Sequence, residues 1–110
     1  MRLVIERHDV AIGTLDIIDF DPHHRRFGIG ILIYDNSDRQ QGYASSAIEL
    51  IKSYARDTLG LHQIWATIAA DNVPSIALFE SRGFEQCGRR KGWLRRGSDY
   101  IDELEYQLFL

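Results

Sequence analysis

The sequence predicts a mixed α/β fold: a central, mainly antiparallel sheet with helices as crossovers, in the order β-β-β-α-β-α-β-β. Three observations predict it. Short apolar runs with strand character fill the chain as far as Tyr34. From Ala44 the apolar spacing becomes helical, and it does so again after Asn72. Beyond Gly83 the chain returns to alternation and keeps it to the end.

Residues 2–6, RLVIE, form the first strand and residues 11–20, AIGTLDIIDF, the second. Asp21-Pro22 and the basic HHRR segment turn the chain into FGIGILIY, an apolar run that suits a central strand. Together these make an antiparallel meander. Ala44, Ala47, Ile48, Ile51, Tyr54 and Ala55 then mark one face of a helix, which Gly60 closes as its C-cap. HQIWATIAA, residues 62–70, is the next strand. Asn72 is a good N-cap and Pro74 is tolerated in the first turn, so a second helix runs to Arg82 and stops at Gly83. The remainder, GFEQCGRRKGWLRR and DYIDELEYQLFL, makes two long antiparallel strands.

A length of 110 residues suits one domain, spanning 1–110, with a modest core. Hydrophobic content of 45% and charged content of 26% are those of a soluble globular protein. No apolar run reaches the ~20 residues of a membrane span, and MRLVIERHDV has no signal-peptide core, so the expected location is cytoplasmic, with no membrane partner. The net charge of −3 argues against sequence-independent nucleic-acid binding. With Cys87 alone there is neither an intrachain disulfide nor a thiolate metal cluster, and no metal is expected. Arg89, Arg90, Lys91, Arg95 and Arg96 face the acidic Asp99, Asp102, Glu103 and Glu105, a pattern that pairs across a hairpin.

The segment SDRQQGYASS, residues 37–46, joins a strand to a helix through a single glycine. A helix N-terminus has unpaired N–H groups and partial positive charge, so such a junction is an anion site in outline. Gly42 lets a ligand approach the backbone, Ala44 keeps the turn small and Arg39 adds charge. Alone, the string is an ordinary turn. It is accompanied, however, by N-x-x-S-x-x-L-F-x-x-x-G-F at Asn72, Ser75, Leu78, Phe79, Gly83 and Phe84.

In that combination the chain resembles the GNAT superfamily of N-acetyltransferases over about residues 27–110, and within it the spermidine and ribosomal-protein N-terminal acetyltransferase branch. The family's pyrophosphate loop matches Arg39-Gln40-Gln41-Gly42-Tyr43-Ala44. The resemblance implies acetyl-CoA as co-substrate and an amine acceptor: a polyamine, a protein N-terminus or a small molecule. It implies pantetheine pairing by the backbone of Leu32, Ile33 and Tyr34, and pyrophosphate held by backbone N–H groups from Gln40 to Ser45. Asn72 reaches the pantetheine, and Ser75 and Phe79 belong to the same wall. The amine attacks the thioester directly, and the protein supplies positioning, an oxyanion-stabilising N–H and proton handling.

Two departures follow from the resemblance. Where many members carry a tyrosine that protonates the leaving thiolate, this chain has Phe79; Tyr34, Tyr100 and water are the replacements by type. The chain also begins at what resembles the family's second strand, without the N-terminal strand and helices that wall the acceptor site. It is either a fragment or a short version, and the exposed edge invites homodimerisation.

Plainer roles compete at several positions. Asn72 caps a helix with or without a ligand, and Ser75 is a normal first-turn residue. Cys87 reads as a half-buried strand thiol, His23-His24 as loop histidines, and Trp93 as either an acceptor-facing or a packing residue. The alternative to an enzyme is an acyl-CoA-binding or interaction module without catalysis.

Overall fold

A computed structural model describes residues 1–34 and 38–110, apart from the side chains of residues 38–41. Strands β1 (Arg2–Arg7), β2 (Val10–Asp21) and β3 (Arg26–Ile33) form the antiparallel meander. His8 and Asp9, both at positive φ (50° and 64°), make the two-residue turn whose twist matches a hairpin. Helix α1 (Asp38–Ser53) continues into a wider π-helical turn over Tyr54–Thr58. Leu59 N–H donates to the Tyr54 carbonyl there, at 3.1 Å, and Gly60 ends the run at φ +63°. After β4 (Gln63–Ala69) come α2 (Val73–Ser81), β5 (Glu85–Arg96) and β6 (Asp99–Phe109). The order of elements is the expected one.

The six strands lie in the order β1-β2-β3-β4-β6-β5, and only β3 and β4 run parallel. Both helices cover the same face. Ala44, Ile48, Ile51 and Ala55 form the buried stripe of α1 and its π-helical extension, and Leu78 and Phe79 come from α2. They pack on Leu15, Ile17, Phe27, Ile29, Ile64, Ala66, Ile68, Leu104 and Tyr106 from the sheet. Tyr54, expected on this stripe, lies at its margin and is exposed. The helices are tied to each other where Lys52 Nζ donates to the Arg82 carbonyl at 3.0 Å.

The opposite face carries no helix among the described residues. Ile18, Leu32 and Thr67 are exposed on it, and Trp65 is half-buried over Gly28, with no room for a side chain at that glycine. The basic and acidic blocks do pair across β5 and β6. Arg89 Nε lies 2.6 Å from Asp102 Oδ2, and Arg90 Nε lies 2.9 Å from Glu105 Oε1. Gly92 N–H and then Arg89 hold the Asp102 carboxyl below its ordinary pKa.

Candidate active site

The parallel pair β3–β4 is where the sheet opens. Pairing covers only Arg26↔Gln63, Phe27↔Ile64 and Gly28↔Trp65, although β3 runs on to Ile33 and β4 to Ala69. The two strands therefore part into a wedge bordered by backbone that has no strand partner on that side. Helix α1 starts just beyond the C-terminal end of β3, and α2 just beyond that of β4. Both helix N-termini therefore lie at the wide end of the wedge, where their partial positive charge favours an anion.

Hydrogen-bond alternation decides which residues address the wedge. Tyr34 N–H donates to the Ile12 carbonyl on β2 at 2.9 Å, and the Leu32 carbonyl oxygen faces Gly13 on the same strand. On the other side, the Arg25 carbonyl accepts from His62 N–H at 2.8 Å. Odd-numbered residues of β3 thus turn their polar groups toward β4, and even-numbered ones toward β2. Of the three residues expected to pair with pantetheine, Ile33 has the right orientation, while Leu32 and Tyr34 are directed to β2. Ile31 shares the orientation of Ile33.

The glycine junction also differs from expectation. Helix α1 begins at Asp38, so Gly42 lies inside the helix and not in a loop before it. Ser46 Oγ donates to the Gly42 carbonyl at 3.1 Å, a helical i to i−4 contact. The amides left without an intrahelical partner are those of residues 38–41, in place of a set reaching to Ser45. Around Gly42 the space is open: nothing lies within 4 Å of where a Cβ would stand. The side chains of Arg39, Gln40 and Gln41 lie outside the described residues. The Tyr43 ring turns toward β1, where the Arg7 guanidinium lies 5.8 Å from its centroid, and Ala44 is fully buried beneath α1. Ser45 is half-buried.

Asn72 caps α2, its Oδ1 accepting from Ser75 N–H at 3.2 Å. Its amide NH2 is left for other partners. Phe79 is 2% exposed and meets Phe84 edge to face, ring centroids 5.0 Å apart. It is a core residue with no proton to donate. Tyr34 and Tyr100 are both exposed. Tyr100 sits on the β5–β6 hairpin beyond the end of β4, near the contact where Arg96 Nη1 holds Asp71 Oδ2 at 2.6 Å.

Cys87 is exposed, not half-buried, and its thiol lies 3.5 Å from the Glu105 carbonyl. Local desolvation, with Glu105 second, raises its pKa, so it is not an activated nucleophile. His24 is a turn residue whose ring lies 2.8 Å from Asp21 Oδ2. Trp93 is exposed under the Arg90 guanidinium, 4.8 Å from the ring centroid. Tyr106, which sequence reasoning did not single out, is buried with its hydroxyl donating to Glu80 at 3.4 Å; burial first, then Glu80, raises its pKa. Its only signal was one more apolar position in β6.

A hollow of about 650 Å³ lies on the helix-free face beside the β4 wall of the wedge, lined in part by Ile18, Trp65, Thr67, Glu103 and Glu105. It combines the Trp65 ring with two carboxylates and two guanidinium groups, Arg26 and Arg90, and Arg90 Nε already holds Glu105 at 2.9 Å, so its charges are balanced.

A parallel strand pair that parts in front of a helix N-terminus, with a backbone-lined wedge, defines an acyl-CoA N-acyltransferase fold. Residues 1–85 match the family model for the acetyltransferase (GNAT) domain, and the chain belongs to that family. It is 32% identical over 110 residues to the uncharacterized N-acetyltransferase YoaA of Bacillus subtilis (strain 168), covering 98% of this chain and 62% of that one. It is 28% identical over 88 residues to the spermidine N(1)-acetyltransferase of Vibrio cholerae, covering 79% of this chain and 50% of that one. The solved structure of the F149A mutant of spermidine N-acetyltransferase SpeG from Vibrio cholerae superposes with a TM-score of 0.86 at 25% identity, covering 98% of this chain and 64% of that chain. The chain thus spans about three fifths of the length of relatives such as YoaA.

Proposed function

We propose that the protein is an acetyl-CoA-dependent N-acetyltransferase acting on a primary amine, with residues 1–110 serving as one domain. The observation that carries the reading is the opening of β3 from β4 after Gly28, directly onto the start of α1. Backbone groups of Ile31 and Ile33 form the edge on which a pantetheine arm adds like a short strand. The first-turn amides of α1 receive the pyrophosphate, with Gly42 leaving space beside them. Asn72 offers its amide NH2 from the other wall while its oxygen caps α2.

Acetyl-CoA supplies a thioester whose carbonyl carbon accepts the lone pair of a neutral amine, so that the C–N bond forms as the C–S bond breaks. In this reading a wedge amide stabilises the oxyanion. The amine loses its proton to water or a carboxylate, and the thiolate takes one from solvent or a tyrosine other than residue 79. The acceptor is a primary amine that meets the thioester in its neutral form. The named activity of the Vibrio cholerae relative on spermidine supports an amine of this class. The cytoplasm, where acetyl-CoA is available, is the location this reading implies; among the described residues no helix is long and apolar enough to cross a membrane.

Calorimetric titration of the chain with acetyl-CoA, beside Gly42→Trp, tests the donor site. The open surroundings of Gly42 let the variant fold, so saturable binding by the parent and none by a folded variant is the expected result. An amine screen follows. A second reading, acyl-CoA binding without turnover, draws on the absence of a hydroxyl at Phe79, and binding with no acetylation of any amine would favour it.

A further inference from the structure

We propose that Lys52 is a positioning residue that fixes the opening of the wedge by fastening α1 to the C-terminal end of α2, a role that rests on the donor site proposed above. Each helix runs back along the sheet from the end of one strand of the parallel pair. The two N-termini therefore share the wide end of the wedge, and the two C-termini share its closed end. There Lys52 Nζ donates to the carbonyl of Arg82, the C-cap of α2, at 3.0 Å, and lies 3.0 Å from Glu49 Oε2. Glu49 in turn meets the Arg82 guanidinium at 3.5 Å. Among the described residues, Glu49, Lys52 and Arg82 supply every hydrogen bond and ion pair between the two helices.

The two walls of the wedge are held unequally. The α2 wall is anchored along its length. Strand β4 pairs with β6 from Gln63 to Ala69, Ala70 N–H donates to the Asp102 carbonyl at 2.8 Å, and Arg96 holds Asp71 just before the helix. Helix α1 rests on the sheet through Ala44, Ile48, Ile51 and Ala55. Apolar burial sets its depth but is non-directional, so it resists rotation over the sheet weakly. A hydrogen bond to a carbonyl is directional. From Asp38 to Lys52 the helix is about 21 Å long, and a rotation of about 3° at the Lys52 end moves the first turn by about 1 Å across the wedge. Lys52 therefore sets where the first-turn amides stand relative to Asn72.

The surroundings of Lys52 suit this contact. Its side chain is 18% exposed, so the stem is largely covered while the ammonium stays paired. Helix α2 has no basic residue in its own last turn, although its terminal carbonyls carry partial negative charge. A lysine within α2 would cap it equally well. Supplied from α1, the same charge also joins the helices.

Lys52→Met, which keeps an apolar stem and loses the ammonium, is compared with the parent by two measurements. Spin labels at Ser46→Cys and Ala77→Cys, both exposed, in a Cys87→Ser background, report the separation of the helices without ligand. Calorimetry reports the affinity for acetyl-CoA, and circular dichroism checks folding. Lys52→Met should broaden the distance distribution and weaken acetyl-CoA binding by about tenfold, the scale of one charge-assisted hydrogen bond. Arg56→Met removes the same charge from a residue paired to Asp57, and Ile17→Val lowers stability from β2. Both should keep the parent's distances and affinity. An unchanged distribution in folded Lys52→Met overturns the brace. Unchanged affinity in that variant, or an equal loss in Arg56→Met, overturns its role at the donor site. A parent that binds no acetyl-CoA overturns the function proposed above and that role with it, whereas the label distances decide the brace independently.

Discussion

Gly42 occupies a position where physical stability and the proposed donor site demand opposite residues. It lies inside α1, its φ is not positive, and nothing stands within 4 Å of a built Cβ. By helix propensity alone, Gly42→Ala should stabilise the fold by about 0.8–1 kcal/mol. For a chain of this length that raises Tm by about 4 °C. If the pyrophosphate rests against the start of α1, the added methyl group enters its space, and overpacking there costs about 1–3 kcal/mol of binding. Affinity for acetyl-CoA should then fall by about 5- to 150-fold. Thermal scans with and without acetyl-CoA, together with calorimetry, separate the two effects. The variant should melt higher than the parent alone, and gain less from the ligand. A variant that is more stable and binds acetyl-CoA as tightly as the parent would refute the placement of the donor against Gly42.

Two further outcomes follow from the structure. Phe79→Tyr places a hydroxyl at the position proposed, from the resemblance, to correspond to the family's proton donor, within a core contact 5.0 Å from the Phe84 ring centroid; it should cost about 1–3 kcal/mol of stability if the hydroxyl finds no partner. In steady-state assays against an accepted amine its kcat should rise, within the ~10²–10⁴ range of a general acid, and unchanged kcat in a folded variant sinks the assignment. Asp21, its pKa lowered to about 2 by His24 N–H and then the His24 ring, contributes stability above the unfolded carboxylate value that is lost as pH falls toward 2. Urea titrations of Asp21→Asn should show a flatter pH dependence across that window, and an identical slope in parent and variant would remove Asp21 as the cause.

The order of elements was legible because each change of period is marked by a residue with a backbone reason. Gly60 and Gly83 end helical runs at φ +63° and +95°, and Asn72 caps the next helix through its side chain. The start of α1 was not legible. Its first turns, Asp38-Arg39-Gln40-Gln41, contain no apolar residue, so periodicity could register the helix only from Ala44, where it meets the core. Gly42 compounded this, since a lone glycine among polar residues reads as a turn whichever structure holds it.

The site divides in the same way. A motif names a segment, whereas the direction of each amide depends on pairing partners distant in sequence. In FGIGILIY the large residues Phe27, Ile29, Ile31 and Ile33 alternate with Gly28, Gly30 and Leu32, which marks the core face, but the string does not name the strands that flank it. On the far side of β2, an irregularity follows the His8-Asp9 turn between Ile5 and Glu6, where Ile5 pairs with Gly13 and Glu6 with Ala11. The slip leaves Ile12 as the extra residue on β2, with its carbonyl taking the Tyr34 N–H. Once Tyr34 is bound there, alternation sends Leu32 to the same side and leaves Ile31 and Ile33 for the wedge. In a strand of L-residues the edge toward which a residue's amide and carbonyl point is coupled to the face its side chain takes. Exchanging the backbone groups presented to the wedge would therefore also turn Phe27 and Ile29 out of the core, and the burial of those two side chains holds the orientation of β3 as firmly as its pairing with β2 does.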